Sequence, residues 1–541
     1  MNKKLIIVAV VIVLIAAVWG LSGNKGSAPT STTDSKTSAE GDVLKIRKAT
    51  SLFSTDWELI TDTADMPIIW VQVFEGLYGI NEAKGGYYNE LAKEVNISED
   101  GKTYIVTLVD ATFQNGEPLK ASDVIFSYKR AMNNPRFNYV TNMINSVAAV
   151  DDKTVKFVLK YPYSAIDHTF FTIKISSEKE VTAAGESFGT KAHKAGTGPY
   201  YISEYDPAKG LKLTAYDGYW KGTPNIKQVE YVIITEDSAA VIAYENGEID
   251  FMTSAPTAEW KALETASNGN NSILKGNNIR MLCINYQSPV NNKILANKLV
   301  RKAICYAIDK KSVNEVAANG YGTVTAEYMP SDYVATAPRA AEGRFETYEY
   351  NPEKAKELLL QAGYTEKDLK NGISIGTLST YGAATGEKAK AAQVMQANLA
   401  AVGLKCEVQI ADISIVSPKL RSQNYDLAIY GDSGNYDFNN IRQQVHSESE
   451  GTQVIKYKGD NSCADYKRVE ELCDLGIGNT DIDQRREYYT ELWKIIADSA
   501  TIFPYLHMPV GIVWSAKVDP GDLCPTYYHL YDFSWKQNEG K

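Results

Sequence analysis

The chain has 541 residues, too many for one hydrophobic core, so two or more lobes are expected. Hydrophobic residues at 44% and charged residues at 23% are an ordinary soluble composition. The net charge of −10 argues against a nucleic-acid partner, because a phosphate-tracking surface needs clustered lysine and arginine.

Lys3 and Lys4 precede an unbroken apolar run from Leu5 to Leu21, the pattern of an export signal and also the lower limit of a membrane-spanning anchor. Lipoprotein signals place a cysteine just after such a run. Here Trp19, Gly20, Leu21 and Ser22 stand there, and Cys283 is the first cysteine, so acylation at such a residue is excluded. Residues 1–21 are read as signal or anchor, and the Ser/Thr-rich residues 22–42 as a flexible linker. The folded part is expected outside the cell, at the membrane face.

A strand is predicted at Val43–Ile46, followed by a polar loop and an apolar helix. Tyr104, Val106 and Leu108 alternate along one face of Thr103–Leu108, and Val155, Phe157 and Leu159 repeat the pattern after the turn at Asp151-Asp152. Ser122-Asp123 starts a helix carrying Val124, Ile125 and Tyr128. Gly196-Thr-Gly-Pro199 is a tight turn into the strand Tyr200–Ile202. Further on, Leu299–Ile308 is a helix with one apolar face. Asn351 caps another, with Pro352 at its first position, buried candidates at Leu358 and Leu359, and a stop at Gly363. Strand Ile373–Ile375, loop Ser379–Gly382, helix Glu387–Ala401 and strand Cys406–Ile410 form a β-loop-α-β series, which implies a parallel sheet with helices on its faces. Ligands of such sheets gather beyond the carboxyl ends of the strands.

Tyrosine is the compositional outlier, at 35 residues against 14 phenylalanines. Its apolar face and polar tip suit a surface that holds varied ligands, although most of these tyrosines are assigned to packing. The six cysteines all fall in the second half, a count that permits disulfides without requiring them. Cys463 and Cys473 read as ends of one helical stretch, about 15 Å apart and beyond bonding reach. No CxxC or clustered Cys/His spacing occurs, so no metal and no cofactor is expected.

The runs Leu91–Leu108 and Phe113–Tyr128 resemble the signature of the family-5 substrate-binding proteins, the dipeptide- and oligopeptide-binding components of ABC importers. Collinear matches follow at Val150–Phe157, Gly196–Tyr200, Tyr216–Trp220, Val300–Asp309 and Tyr350–Leu359, and the resemblance extends from residue 43 to the end. It implies an α/β fold of two lobes, periplasmic-binding-protein-like and of class II or cluster C type, with two hinge crossings and an extra subdomain in lobe I. The crossings would fall near Asn277–Tyr286 and Leu506–Val513. Lobe I would be residues 43–282, with the subdomain at about 81–190 and a return at 510–541; lobe II would be 287–507. The implied protein is a monomer that binds oligopeptides between closing lobes and delivers them to a membrane permease.

The resemblance also implies site residues. Peptide-binding members clamp the ligand's ammonium with an aspartate in a lobe II loop after a strand. The strand here is Asp426–Tyr430, and Asp432 takes that place, with Asp437 as fallback. A desolvated ammonium needs such a charge, because burying it unpaired costs several kcal/mol. Gly431, Ser433 and Tyr436 share the loop; Tyr430 and Tyr381 are aromatic pocket candidates; Ser51 and Phe53 are the lobe I candidates. Dipeptide-specific members hold the ligand carboxylate with an arginine in the segment that here reads Ser379–Glu387. This segment has none, which favours a longer peptide or one bound without a carboxylate clamp. The nickel-binding branch is disfavoured, since no histidine lies in these loops and His446 is the nearest. A hydrolase is disfavoured as well: there is no GxSxG elbow and no HExxH helix. A receptor for another solute, such as an oligosaccharide or a signal peptide, is the other alternative on this fold.

Overall fold

The computed structural model describes residues 43–536, apart from 61, 63, 85, 267–268, 290–291, 333, 434–435, 448–454, 456 and 458–462. The expected signal or anchor and the linker lie outside the described residues. No helix among the described residues is long and apolar enough to cross a membrane.

Eleven of the described strands join in one mixed sheet. In chain order they are β1 (Val43–Lys48), β2 (Tyr200–Asp206), β3 (Gly210–Ala215), β4 (Gln228–Ile233), β5 (Phe251–Met252), β6 (Gly269–Ile284), β7 (Thr323–Val324), β8 (Ile373–Tyr381), β9 (Leu404–Ala411), β10 (Leu427–Ser433) and β11 (Ile502–Ser515). Across the sheet they run β9-β8-β10-β6-β11-β5-β1-β4-β3-β2, with β7 on β11. β8 lies parallel to both β9 and β10, as the β-loop-α-β pattern predicts, and β1 is parallel to β4.

The middle of the sheet is the long antiparallel pair β6 and β11, registered from Gly269 opposite Ser515 to Cys283 opposite Ile502. Its register shifts between Lys275 and Ile279, an irregularity of the kind that bends a strand pair. One buried cluster contains Leu44, Trp57, Phe74, Phe157 and Phe251 together with Leu530 and Phe533 from the tail. Two others draw on residues from Ile279 to Leu506. The described residues, 43–536, group as one compact unit.

Local expectations and structure agree where the period is strong. Thr103–Leu108 pairs antiparallel with Thr154–Leu159, and Tyr104, Val106 and Leu108 are all buried. Asn351 caps helix Pro352–Gln361 by accepting from the Lys354 amide at 2.9 Å. The Gly196-Thr-Gly-Pro199 turn is a close approach of backbones: a Cβ at Gly196 would stand 1.9 Å from the Val73 carbonyl oxygen. Gln114 ties that turn down, its Nε2 donating to Val73 O at 2.8 Å and Tyr200 O at 2.7 Å.

Two segments differ from the sequence reading. Ser379–Tyr381 belongs to β8, and Gly431, Asp432 and Ser433 belong to β10 instead of a loop. The reason is tertiary: β6 offers a ladder, with Ile279 opposite Asp432 and Arg280 opposite Gly431, and this overrides the local turn preference of a Gly/Asp/Ser run. Cys463 precedes helix Tyr466–Gly478 and accepts from Arg301 Nη2 at 3.1 Å.

Candidate functional site

A cavity of about 370 Å³ is bounded by residues from distant parts of the chain. One wall is aromatic. Helix Ile166–Thr172 contributes His168 and Phe171, three residues apart and therefore on one face. Trp70, Tyr87, Tyr139 and Tyr527 complete this wall. The Tyr87 hydroxyl is 2.9 Å from His168 Nδ1. Burial holds the His168 imidazole down at about 4, so it is neutral near pH 7.

A second, polar part of the lining contains Asp432, Asn278, Asn440, Gln443 and Tyr436. Asp432 Oδ2 accepts from Asn440 Nδ2 at 3.0 Å, from Gln444 Nε2 at 2.8 Å and from the Tyr328 hydroxyl. These three donors are neutral and orient the carboxyl group. Burial first, and the Asp432 charge second, push the Tyr328 phenol well above its usual range; it keeps its proton and remains a donor. Between the walls, Ser254 lines the cavity with φ +53, a left-handed conformation that costs a non-glycine residue about 1–3 kcal/mol.

The candidates named from the sequence fall in different places. Asp432 and Tyr436 line the cavity, and the Tyr436 ring meets Tyr87 edge-on at 6.1 Å across it. Gly431, Tyr430 and Tyr381 form the layer beside Asp432 and do not line the cavity: the Gly431 amide donates to the Tyr381 hydroxyl at 3.3 Å, and the two tyrosine rings lie 6.2 Å apart. Ser433 has a described backbone, paired with Asn278, while its side chain lies outside the described residues.

Ser51 and Phe53 do not line the cavity, and Phe53 is 79% exposed. Their loop is held elsewhere, by the Tyr205 hydroxyl donating to Leu52 O at 2.7 Å and by Ser54 donating to Gly189 O at 3.1 Å. The fallback Asp437 is committed to Arg485, whose Nη2 reaches its two oxygens at 2.8 and 2.7 Å in a buried pair.

The segment 379–387 lacks an arginine, but Arg280 reaches it from β6. Arg280 Nε donates to Glu387 Oε1 at 2.8 Å, and its Nη1 donates to Asn278 Oδ1. Glycine at 431 makes this possible, since a Cβ there would stand 2.6 Å from Arg280 Nη1. Lys388 closes on the same carboxylate at 3.0 Å. The sequence reading missed the aromatic wall, Arg280, and the three donors on Asp432. They come together only through tertiary packing, and no spacing in the chain marks them.

Among the described residues no cluster of His, Cys, Asp and Glu could hold a metal ion. The glutathione-binding protein GsiB of Pectobacterium atrosepticum is 30% identical over 351 residues, 63% of each chain. The chain thus matches just under two thirds of that relative's length. Two solved structures share the fold over 92% of this chain. They are HbpA2 from Haemophilus parasuis (24% identity, TM-score 0.78, all of that chain covered) and the oligopeptide-binding protein AppA from Bacillus subtilis in complex with a nonapeptide (20%, 0.73, 99% covered). The mixed α/β architecture is accordingly that of the cluster C periplasmic binding proteins. A family model matches residues 86–447, and its members are solute-binding proteins, not enzymes. The chain therefore belongs to the bacterial extracellular solute-binding proteins, family 5.

Proposed function

We propose that this protein is the extracytoplasmic substrate-binding component of an ABC importer and that it encloses a peptide between two lobes. In this reading residues 43–282 and 510–541 form lobe I, with a subdomain at about 81–190, and 287–507 form lobe II. β6 and β11 are the crossings, and residues 1–21 signal export or anchor the monomer through the linker 22–42. The observation that carries it is Asp432, a carboxyl group accepting from three neutral donors in the lining of a cavity that is otherwise rich in aromatic rings. A peptide ammonium pairs with the carboxylate, Tyr436 and the aromatic wall cover the side chains, and Tyr381 steadies Tyr430 and Gly431 of β10 by ring contact and by accepting from the Gly431 amide. Closure converts occupancy into a shape that a permease can read.

Glutathione, named for the curated relatives, is a second reading, since it is a tripeptide and the matched identity reaches 30%. Native mass spectrometry of protein purified from its own host tests both. Co-purified peptide masses support the proposal, glutathione mass the second reading, and an oligosaccharide or a bare metal chelate defeats the peptide assignment.

A further inference from the structure

Lys174 packs against the aromatic part of the cavity. It follows helix Ile166–Thr172, whose Phe171 lines the cavity, and its backbone bridges to Gly76. Its Nζ lies 3.8 Å from the centre of the Phe171 ring and 5.8 Å from that of Trp70, a second lining residue. Lys174 is 1% exposed, and among the described residues no acceptor closes on Nζ; its near neighbours are ring faces. Two acids, Glu90 and Glu75, act on it from a distance, and each is bonded elsewhere. Lys221 Nζ donates to Glu90 at 2.6 Å, and the Tyr219 hydroxyl donates to Glu75 at 2.7 Å. The charge of Lys174 already reaches the lining: burial first keeps the His168 imidazole neutral, Asp437 opposes this, and Lys174 adds to it.

We infer that Lys174 is the positive pole of the cavity and that a short ligand lies with its terminal carboxylate at the Phe171 and Trp70 end. This rests on the peptide reading above and deepens it: the carboxylate is met from the aromatic side, where segment 379–387 offers no arginine. The attraction is Coulombic and acts past the ring edges, so it needs no direct contact, and away from bulk water it is stronger than in it. An ammonium already buried without an acceptor has lost its hydration, so the pair costs only the desolvation of the carboxylate. The volume, about 370 Å³, is near the lower end of the roughly 300–1,000 Å³ typical of ligand pockets, which keeps both ends of a ligand of a few residues in one cavity.

Burial holds the Lys174 ammonium down at about 7 against the pull of Glu90 and Glu75, while burial and then the Glu90 charge lift Glu75 to about 7. Burial opposes the charges of Glu90 and Lys221, but each holds the other, leaving Glu90 below and Lys221 above its usual range. Burial also keeps His529 neutral. A carboxylate arriving at pH 7 therefore draws protons onto Lys174 and Glu75, up to about one in total.

Isothermal titration calorimetry of the full chain, freed of carried ligand, tests the inference with Ala-Ala-Phe, its C-terminal amide and its N-acetyl form. Each is titrated at about pH 7 in two buffers of different ionisation enthalpy, which reads proton uptake. The free acid should bind at least about tenfold more tightly than the amide and take up more protons on binding. Lys174→Met keeps the stem and loses the charge; it should bring acid and amide within about threefold, chiefly by weakening the acid. Acid and amide within about threefold in the native protein overturn the inference and leave peptide binding standing. So does a preference for the acid with equal proton uptake from both, or a folded Lys174→Met that keeps the gap. An acetylated peptide as tight as the free one, with the acid–amide gap intact, supports Lys174 and removes the ammonium pairing. Silence from all three peptides overturns the peptide reading and the inference with it. The native-protein panel decides the matter even if Lys174→Met fails to fold.

Discussion

The two walls of the cavity solve different problems with different materials. The wall of Trp70, Tyr87, Tyr139, Phe171 and Tyr527 is broad and apolar, set by ring packing such as Phe171 against Tyr527 at 5.1 Å. Apolar contact is non-directional, so this wall tolerates varied side chains. The wall around Asp432 is narrow and directional: one carboxylate, three neutral donors, and beyond them the buried pair Asp437–Arg485. The cavity thus combines a non-directional surface with a directional one.

The largest effect should come from breaking the support of the polar wall. Arg485→Ala leaves Asp437 buried without its partner and is expected to destabilise the fold by about 3–5 kcal/mol, read by urea denaturation. Asp432→Asn keeps shape and loses charge. Peptide affinity should drop by about 2–5 kcal/mol in calorimetry with the melting temperature of the free protein little changed; unchanged affinity removes Asp432 from the site. On the aromatic wall, Tyr87→Phe removes the 2.9 Å bond to His168 and keeps the ring. It should cost about 0.5–1.5 kcal/mol of stability and leave binding nearly intact, which sharpens the contrast between the walls.

The aromatic wall also carries a slope with pH. Burial holds His168 at about 4 against 6.5 for a free imidazole, so between those values the unfolded chain binds more protons. Stability therefore rises with pH from about 4 to 6.5 and is lost on acidification through that window. His168→Gln should flatten this part of the profile in thermal melts from pH 4.5 to 7; an unchanged slope would show that other groups set it.

Much of the fold was legible in the sequence because the relevant signals are local. Tyr104, Val106 and Leu108 advertise a half-buried strand by alternation, and Asn351-Pro352 announces a helix start by capping chemistry. Helix Glu387–Ala401 is found with its ends where they were expected. The site was legible only in part. Asp432 and Tyr436 were reached through motif position, yet Asp432 was assigned to a loop because Gly431-Asp432-Ser433-Gly434 reads locally as a turn. The ladder to β6, more than 140 residues earlier in the chain, decides otherwise. Ser51 and Phe53 were placed by analogy of position; two hydrogen bonds to their loop hold it away from the cavity lining. The aromatic wall combines Trp70, Tyr87, Phe171 and Tyr527, whose separation in the chain leaves no period to detect.

The tail has a consequence for how the molecule is made. Leu530 and Phe533 sit in the same core as Leu44, and Gln72 bonds to Tyr528 O at 2.7 Å and receives the Leu530 amide at 3.0 Å. The first half of the chain thus depends on residues 456 positions further on before its own interior is complete. Pairings this remote are slow to form and leave apolar surface uncovered meanwhile.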